Sequence, residues 1–429
     1  MEVIRKELLP GVTLTAVHTK KFKSAVLAAT FLAPLNGETA SANALIPSVL
    51  RRGTRRYLDM QTISAALDEL YGGTIEPCVR KKGETQCVGF VSSFLDDAYT
   101  PDGSKILEPA AALLGDLLLH PATEQGIFRK EYVESERENL INRIRAQKND
   151  KRQYAVTRLN QLMCQTEPFG TDKLGCEDDA RVLDAASLWT RYQSLLSQSE
   201  LALYYCGSAE PLRVEKALRD ALASLPRTAA PQKNSCVVRS HRAGDTVREF
   251  TDRMDVTQGK IALGFRTGGV CLESAQYPAL LVLNALYGGS PNSKLFLNVR
   301  EKQSLCYYAS SMLEKQKGVM IVSSGVEFAN LEKARAEILT QLDLCRSGNI
   351  TPEELEAGRR SVVSDLHALL DSQGRLEDYW LTYATAGSEL SPQKLAEQVE
   401  TVTPEEVVAV AQAIELDGVY TIMGKEAQA

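Results

Sequence analysis

The side chains best suited to gripping a metal or attacking a bond are sparse in this 429-residue chain. Histidine occurs four times, at His18, His120, His241 and His367, and no two fall within one helical turn. That spacing excludes a two-histidine metal site on a single helix, and a site assembled from distant residues is disfavoured. Nine cysteines stand at 78, 87, 164, 176, 206, 236, 271, 306 and 345, an odd count with no C-x-x-C pair. Neither a disulfide framework nor a zinc ribbon fits, and most of these thiols read as small core residues. The string GGSPNSK (288–294) hints at a phosphate loop but lacks the G-x-x-x-x-G-K-[ST] spacing that cradles phosphate.

The totals narrow the classes further. A net charge of -6 with no long Lys/Arg run gives no case for nucleic acid as a partner. The longest apolar pieces, such as YPALLVLNALY, are too short to span a membrane. The opening MEVIRKELLPGVTL has no unbroken apolar core like that of a signal peptide, so a cytoplasmic location is expected. Length and an ordinary balance of 44% hydrophobic to 24% charged residues predict a globular protein of two or more domains.

The elements that must position any site come in two echoing sets. SAVLAATFLAPLNGETASANALIPSVLRRGT (24–54) and GKIALGFRTGGVCLESAQYPALLVLNALYGGS (259–290) each run from a β-prone stretch through a Gly/Glu loop into an apolar helix. Each set ends at a glycine followed by a small hydroxyl residue. Each is followed by a long charged helix, IFRKEYVESERENLINRIRAQKND (127–150) and TPEELEAGRRSVVSDLHALLDS (351–372). In the first, Phe128, Tyr132, Leu140 and Ile144 recur at multiples of four and form one buriable stripe; the second opens with a strong N-terminal signature. Strand candidates TQCVGFVSSFL, LALYYCG and GVMIVSSGV lie between, without a regular βαβ rhythm. The expected fold class is α+β, with two homologous domains, 1–224 and 237–429, each a mostly antiparallel sheet backed by helices. LPRTAAPQKNSC (225–236) reads as the linker. Within NALIPSVLRRGT (43–54), Pro47 removes a backbone hydrogen bond at roughly 3 kcal/mol. That helix is therefore expected to kink or begin there, with Gly53 as its stop.

These landmarks resemble the insulinase/pitrilysin-like metallopeptidases, in particular the short bacterial members with two domains per chain, and the likeness runs through nearly the whole sequence. In active members the first-half helix carries an inverted zinc motif, H-x-x-E-H, shortly before Gly-Thr, and a glutamate on the later long helix completes the metal site. Counted back from Gly53-Thr54, the two histidines fall on Ala44 and Ser48 and the glutamate on Pro47. The third ligand falls on Arg143. Alanine offers no donor atom, proline cannot act as a base, and arginine is a permanent cation. Where the family has Asn-Ala on a substrate-pairing edge strand, YGGTIEPCVR carries Glu76 and Pro77, and proline cannot donate to an added strand.

The second half keeps the family's other signature, YGGSPNSKLFLNVREKQSLCYYASS. The resemblance assigns Arg300 and Tyr307 to substrate binding across the cleft, where a guanidinium and a phenol can donate to peptide carbonyls. Taken without the resemblance, Arg300 favours its helix C-terminus and Tyr307 is an ordinary strand aromatic. The resemblance implies a non-catalytic subunit of a heterodimeric zinc endopeptidase. Zinc would be held by a homologous partner with an intact motif, none would be bound by this chain, and the substrate would be a peptide. The alternative is an inert peptide-binding or scaffold protein, acting as a homodimer. A more specialised version of the first is a factor that matures a ribosomally made peptide.

Overall fold

A computed structural model describes residues 1–425 except Thr228, Ala230 and Gln232. Those three positions of the 225–236 stretch, and the last four of the 237–429 segment, lie outside the described residues. The chain divides into two compact units. The first joins Met1–Arg145, Thr171–Ser235 and Gln373–Thr385; the second joins Ala146–Gly170, Cys236–Ser372 and Ala386–Ala429. The units thus differ from the contiguous segments 1–224 and 237–429 by an exchange of two helices, Lys151–Met163 and Gln373–Thr385.

The first unit is built on β1 (Glu2–Leu9), β2 (Val12–His18), β3 (Ser24–Pro34), β4 (Thr74–Lys82), β5 (Thr85–Leu95) and, after a short hairpin β6–β7 (Thr123–Glu124, Ile127–Phe128), β8 (Glu200–Gly207). The sheet order is β1-β2-β8-β3-β5-β4, antiparallel except for the β2–β8 pair. One face buries the main core beneath helices that include Gly37–Leu50, Leu107–Leu119, Ala185–Gln198 and Pro211–Ala221. On the other face Leu381 of Gln373–Thr385 packs on Leu32 and Cys87. Cover on both faces explains why β3 reads as a continuous apolar run rather than an alternating one.

Three local expectations change. Gly37–Leu50 is one helix, begun by Asn36, whose side chain accepts from the Glu38 N–H; it neither starts near Pro47 nor ends there. Pro47 lies inside its last turn, and the carbonyl left without its helical donor is that of Asn43. Gly53 is not a left-handed cap: a Cβ there would meet the Leu58 carbonyl oxygen at 2.6 Å, so close backbone approach requires the glycine. Phe128 belongs to the β6–β7 hairpin, whose turn at Gln125 (φ 53°) and Gly126 (φ 84°) precedes the helix Lys130–Ala146. Leu140, with Val133 and Ile141, is buried on that helix, and Tyr132 and Ile144 pack at its margin.

The second unit carries β9 (Arg248–Met254), β10 (Gly259–Arg266), β11 (Cys306–Glu314), β12 (Val319–Val326) and β13 (Glu415–Gly424) in the order β11-β12-β10-β13-β9. Only β13–β9 is parallel. Helix Lys151–Met163 lays Ala155, Val156, Leu159 and Met163 against Ala262, Ile321 and Tyr420 of this sheet. Ions fasten the end of that segment. Arg266 donates to Glu167 Oε1 at 2.6 Å and to Asp417 Oδ2 at 2.8 Å, and Lys317 Nζ lies 2.6 Å from Glu167 Oε2. Arg266, Lys317 and Asp417 are fully buried. Burial alone would raise the Glu167 carboxyl, but hydrogen bonds from Arg266 and Lys317 outweigh it and hold the group below its ordinary value.

Candidate functional site

In the first unit, Ala44 and Ser48 lie one turn apart on helix Gly37–Leu50, with Pro47 between them. Ala44 and Pro47 are buried, Ser48 is half-buried, and Arg143 is exposed on helix Lys130–Ala146. The neighbouring polar groups are committed to the scaffold. Arg191 Nε donates to Asn43 Oδ1 at 2.7 Å, and Asn43 Nδ2 donates to Gln86 Oε1 at 2.8 Å. Gln86 Nε2 in turn donates to the carbonyls of Ala40 and Lys173. Burial pushes the Arg191 guanidinium below its ordinary value. One turn past Ser48, Arg51 Nε donates to the Ile75 carbonyl of β4 at 3.0 Å. Arg52 pairs with Glu136 at 3.1 Å and lies over the Tyr132 ring. β4 is the edge of its sheet and carries Glu76 and Pro77.

Alanine, proline, serine and arginine do not make a zinc donor set, and among the described residues no three His, Cys, Asp or Glu side chains gather as a cation site. The residues present therefore do not fit the metal that active relatives use, and no chemical step through a metal is assigned to this chain.

The second unit concentrates its reactive side chains elsewhere. Arg300 lies in a π-helical turn, Leu295–Lys302, an uncommon geometry that is frequent at functional sites. Its guanidinium stacks over Phe296, 4.6 Å from the ring centroid, and its Nε is 3.5 Å from Glu301 Oε1. Two residues after the turn, Ser304 takes a left-handed conformation (φ 52°) and redirects the chain into the edge strand β11. There the register slips. Cys306 faces Val326 and Tyr308 faces Gly325, which leaves Tyr307 as the extra residue of a bulge. A bulge at a sheet edge re-aims a side chain, and Tyr307 is 54% exposed while Tyr308 packs beneath Arg152. Arg300 and Tyr307 line one cavity of about 410 Å³ with Glu301, Ser304, Leu305, Cys306, Glu327 and Asn330.

One member of this cavity has no counterpart in the sequence reading. The Tyr307 hydroxyl donates to Glu327 Oε1 at 3.2 Å. Glu327 stands at the start of the 3₁₀ turn Phe328–Asn330, yet its side chain does not cap that turn; it points across to the phenol. The two residues are twenty apart and on different elements, so no local spacing announces the pair.

Two α+β units, with no metal-donor set at Ala44, Pro47, Ser48 and Arg143, are compatible with a non-catalytic member of the family that the sequence resembles. A family model described as "Peptidase M16 inactive domain" matches residues 183–362. A probable inactive metalloprotease of Bacillus subtilis, YmfF, is 33% identical over 418 residues, covering 97% of this chain and 96% of that one. An uncharacterized zinc protease of Streptomyces coelicolor is 22% identical over 394 residues, or 89% of this chain and 78% of the relative. Among solved structures, a conserved protein from Enterococcus faecalis superposes with a TM-score of 0.89 at 27% identity, over the whole of both chains. A peptidase M16 inactive domain from Pseudomonas fluorescens shares the fold, with a TM-score of 0.79 at 15% identity over both whole chains. The chain belongs to the insulinase/pitrilysin-like (M16) metallopeptidase family, as an inactive member.

Proposed function

We propose that this chain is the non-catalytic subunit of a two-chain zinc endopeptidase. Its partner would be a homologous chain with an intact H-x-x-E-H motif, which holds the zinc; this chain binds none. Arg300 and Tyr307 grip the peptide substrate at the partner's active site. The observation that supports this reading is the contrast between the halves: Ala44, Pro47, Ser48 and Arg143 make no zinc donor set, while the Arg300–Tyr307 cavity is assembled from a π-turn and a bulge. The proposed compartment is the cytoplasm, where nine unpaired cysteines stay reduced.

Purification of the chain from its native cell, followed by metal analysis of whatever accompanies it, tests the assignment. The expected result is a same-sized partner carrying zinc, with none on this chain. In the reconstituted pair, Arg300→Ala should lower kcat/KM on the order of 10²–10³-fold, as loss of a charge-stabilising donor does, and leave assembly intact. A chain that recovers only with itself and binds peptide without cleavage would favour the inert homodimeric binder or scaffold instead.

A further inference from the structure

We infer that the Arg300–Tyr307 cavity selects a peptide bearing a cationic side chain, with Glu327 as the residue that determines the choice. The inference rests on the reading of this cavity as a peptide site and adds to it the sign of the charge received.

Proton accounting at Tyr307 is the first argument. A phenol has one O–H to give. An ionised carboxylate only accepts, so the 3.2 Å contact to Glu327 Oε1 uses that proton. What Tyr307 turns toward a ligand is then an oxygen with lone pairs, an acceptor for N–H rather than a donor to C=O. Arg300, with donors alone, covers the opposite need.

Charge is the second argument. The cavity holds Glu301 and Glu327 against Arg300. Arg300 is already shared between the Phe296 face and the Glu301 carboxylate. Glu327 has the Tyr307 phenol as its side-chain partner, which occupies one of about four lone-pair sites on the carboxylate. An exposed carboxylate and a phenol oxygen at one wall of a cavity match an ammonium or guanidinium group, and Leu305 at the same wall suits its methylene stem. The cavity, about 410 Å³, falls in the range of roughly 300–1,000 Å³ found for small-ligand pockets.

The test uses the reconstituted pair, freed of zinc so that nothing is cleaved, and three unstructured, terminally blocked peptides identical except for a central Lys, norleucine or Glu. The Lys peptide should bind at least about 5-fold more tightly than the norleucine peptide, and the Glu peptide most weakly. Glu327→Gln keeps an oxygen to accept the phenol proton and removes only the charge, so the Lys-to-norleucine ratio should fall toward one. Glu327→Lys should invert the order in favour of Glu. An unchanged ratio in Glu327→Gln, or a wild-type preference for the Glu peptide, overturns the inference. Failure of all three peptides to bind, or binding indifferent to Arg300→Ala and Tyr307→Phe, overturns the peptide-site reading as well. Loss of binding in those two variants together with an unchanged ratio in Glu327→Gln removes the charge selection alone.

Discussion

Arg300 and Tyr307 owe their placement to departures from regular geometry that composition does not record. A π-turn uses the same residue types as an α-turn, and NSKLFLNVREK reads as an ordinary helix. The bulge likewise adds one residue to a strand whose apolar content looks normal. The pairing of the two residues was legible only through resemblance, and Glu327 was not legible at all, because its contact spans two elements. Pro47 shows the opposite case. Its cost was plain, but a proline in the last turn, with a buried ring, sacrifices one hydrogen bond without ending the helix. Pro47→Ala should restore the bond to the Asn43 carbonyl and raise the melting temperature. The gain should stay below the ~3 kcal/mol interior penalty, because a buried ring is lost at the same time. Thermal unfolding followed by circular dichroism measures it, and a lowered melting temperature would show that ring packing outweighs the bond.

Among the elements, the segment Ala146–Gly170 ends in a buried ion cluster. Its helix covers one face of the second sheet, and its end is held by Glu167 among Arg266, Lys317 and Asp417. Removing one partner from a buried ion cluster leaves an uncompensated charge and costs about 3–5 kcal/mol. Glu167→Gln should destabilise the protein by that order in denaturant titration, and a loss under 1 kcal/mol would mean the cluster relaxes. The pH dependence has a defined sign. The folded-state carboxyl titrates below its ordinary value of 4.5, so the unfolded chain takes up the proton first. The contribution is complete above pH 4.5 and fades as the pH falls through the lowered folded value. Acidification below pH 4.5 should therefore narrow the gap between wild type and Glu167→Gln. The long amphipathic stripe of Lys130–Ala146 was readable from its period. Phe128 is buried with that stripe, but it reaches the core from the hairpin that Gln125-Gly126 turns and not from the helix.

On the scale of the whole chain, duplication and the α+β class were visible in the two echoing segments, whereas the helix exchange was not. An apolar stripe states that a helix buries a face, not which sheet receives it. Each unit nonetheless depends on sequence from the opposite side of the 225–236 stretch: Lys151–Met163 covers the second sheet, and Gln373–Thr385 the first. The latter is tied by Arg80 to Glu377, at 2.6 and 2.8 Å, and by Lys82 to Asp378, at 2.6 Å. Fragments 1–235 and 236–429 expressed separately should therefore be poorly folded, and coexpression should recover a soluble pair. Two independently cooperative fragments would contradict this.

The same exchange sets an order of events on the ribosome. Strands β1 to β8 emerge early, but the helix that covers Leu32 and Cys87 begins only at Gln373. At about 5–20 residues per second, synthesis of the intervening chain takes on the order of ten seconds. Throughout that interval a greasy patch on the nascent first sheet has no lid of its own, so holdase chaperones have a defined target and a defined window in which to meet it.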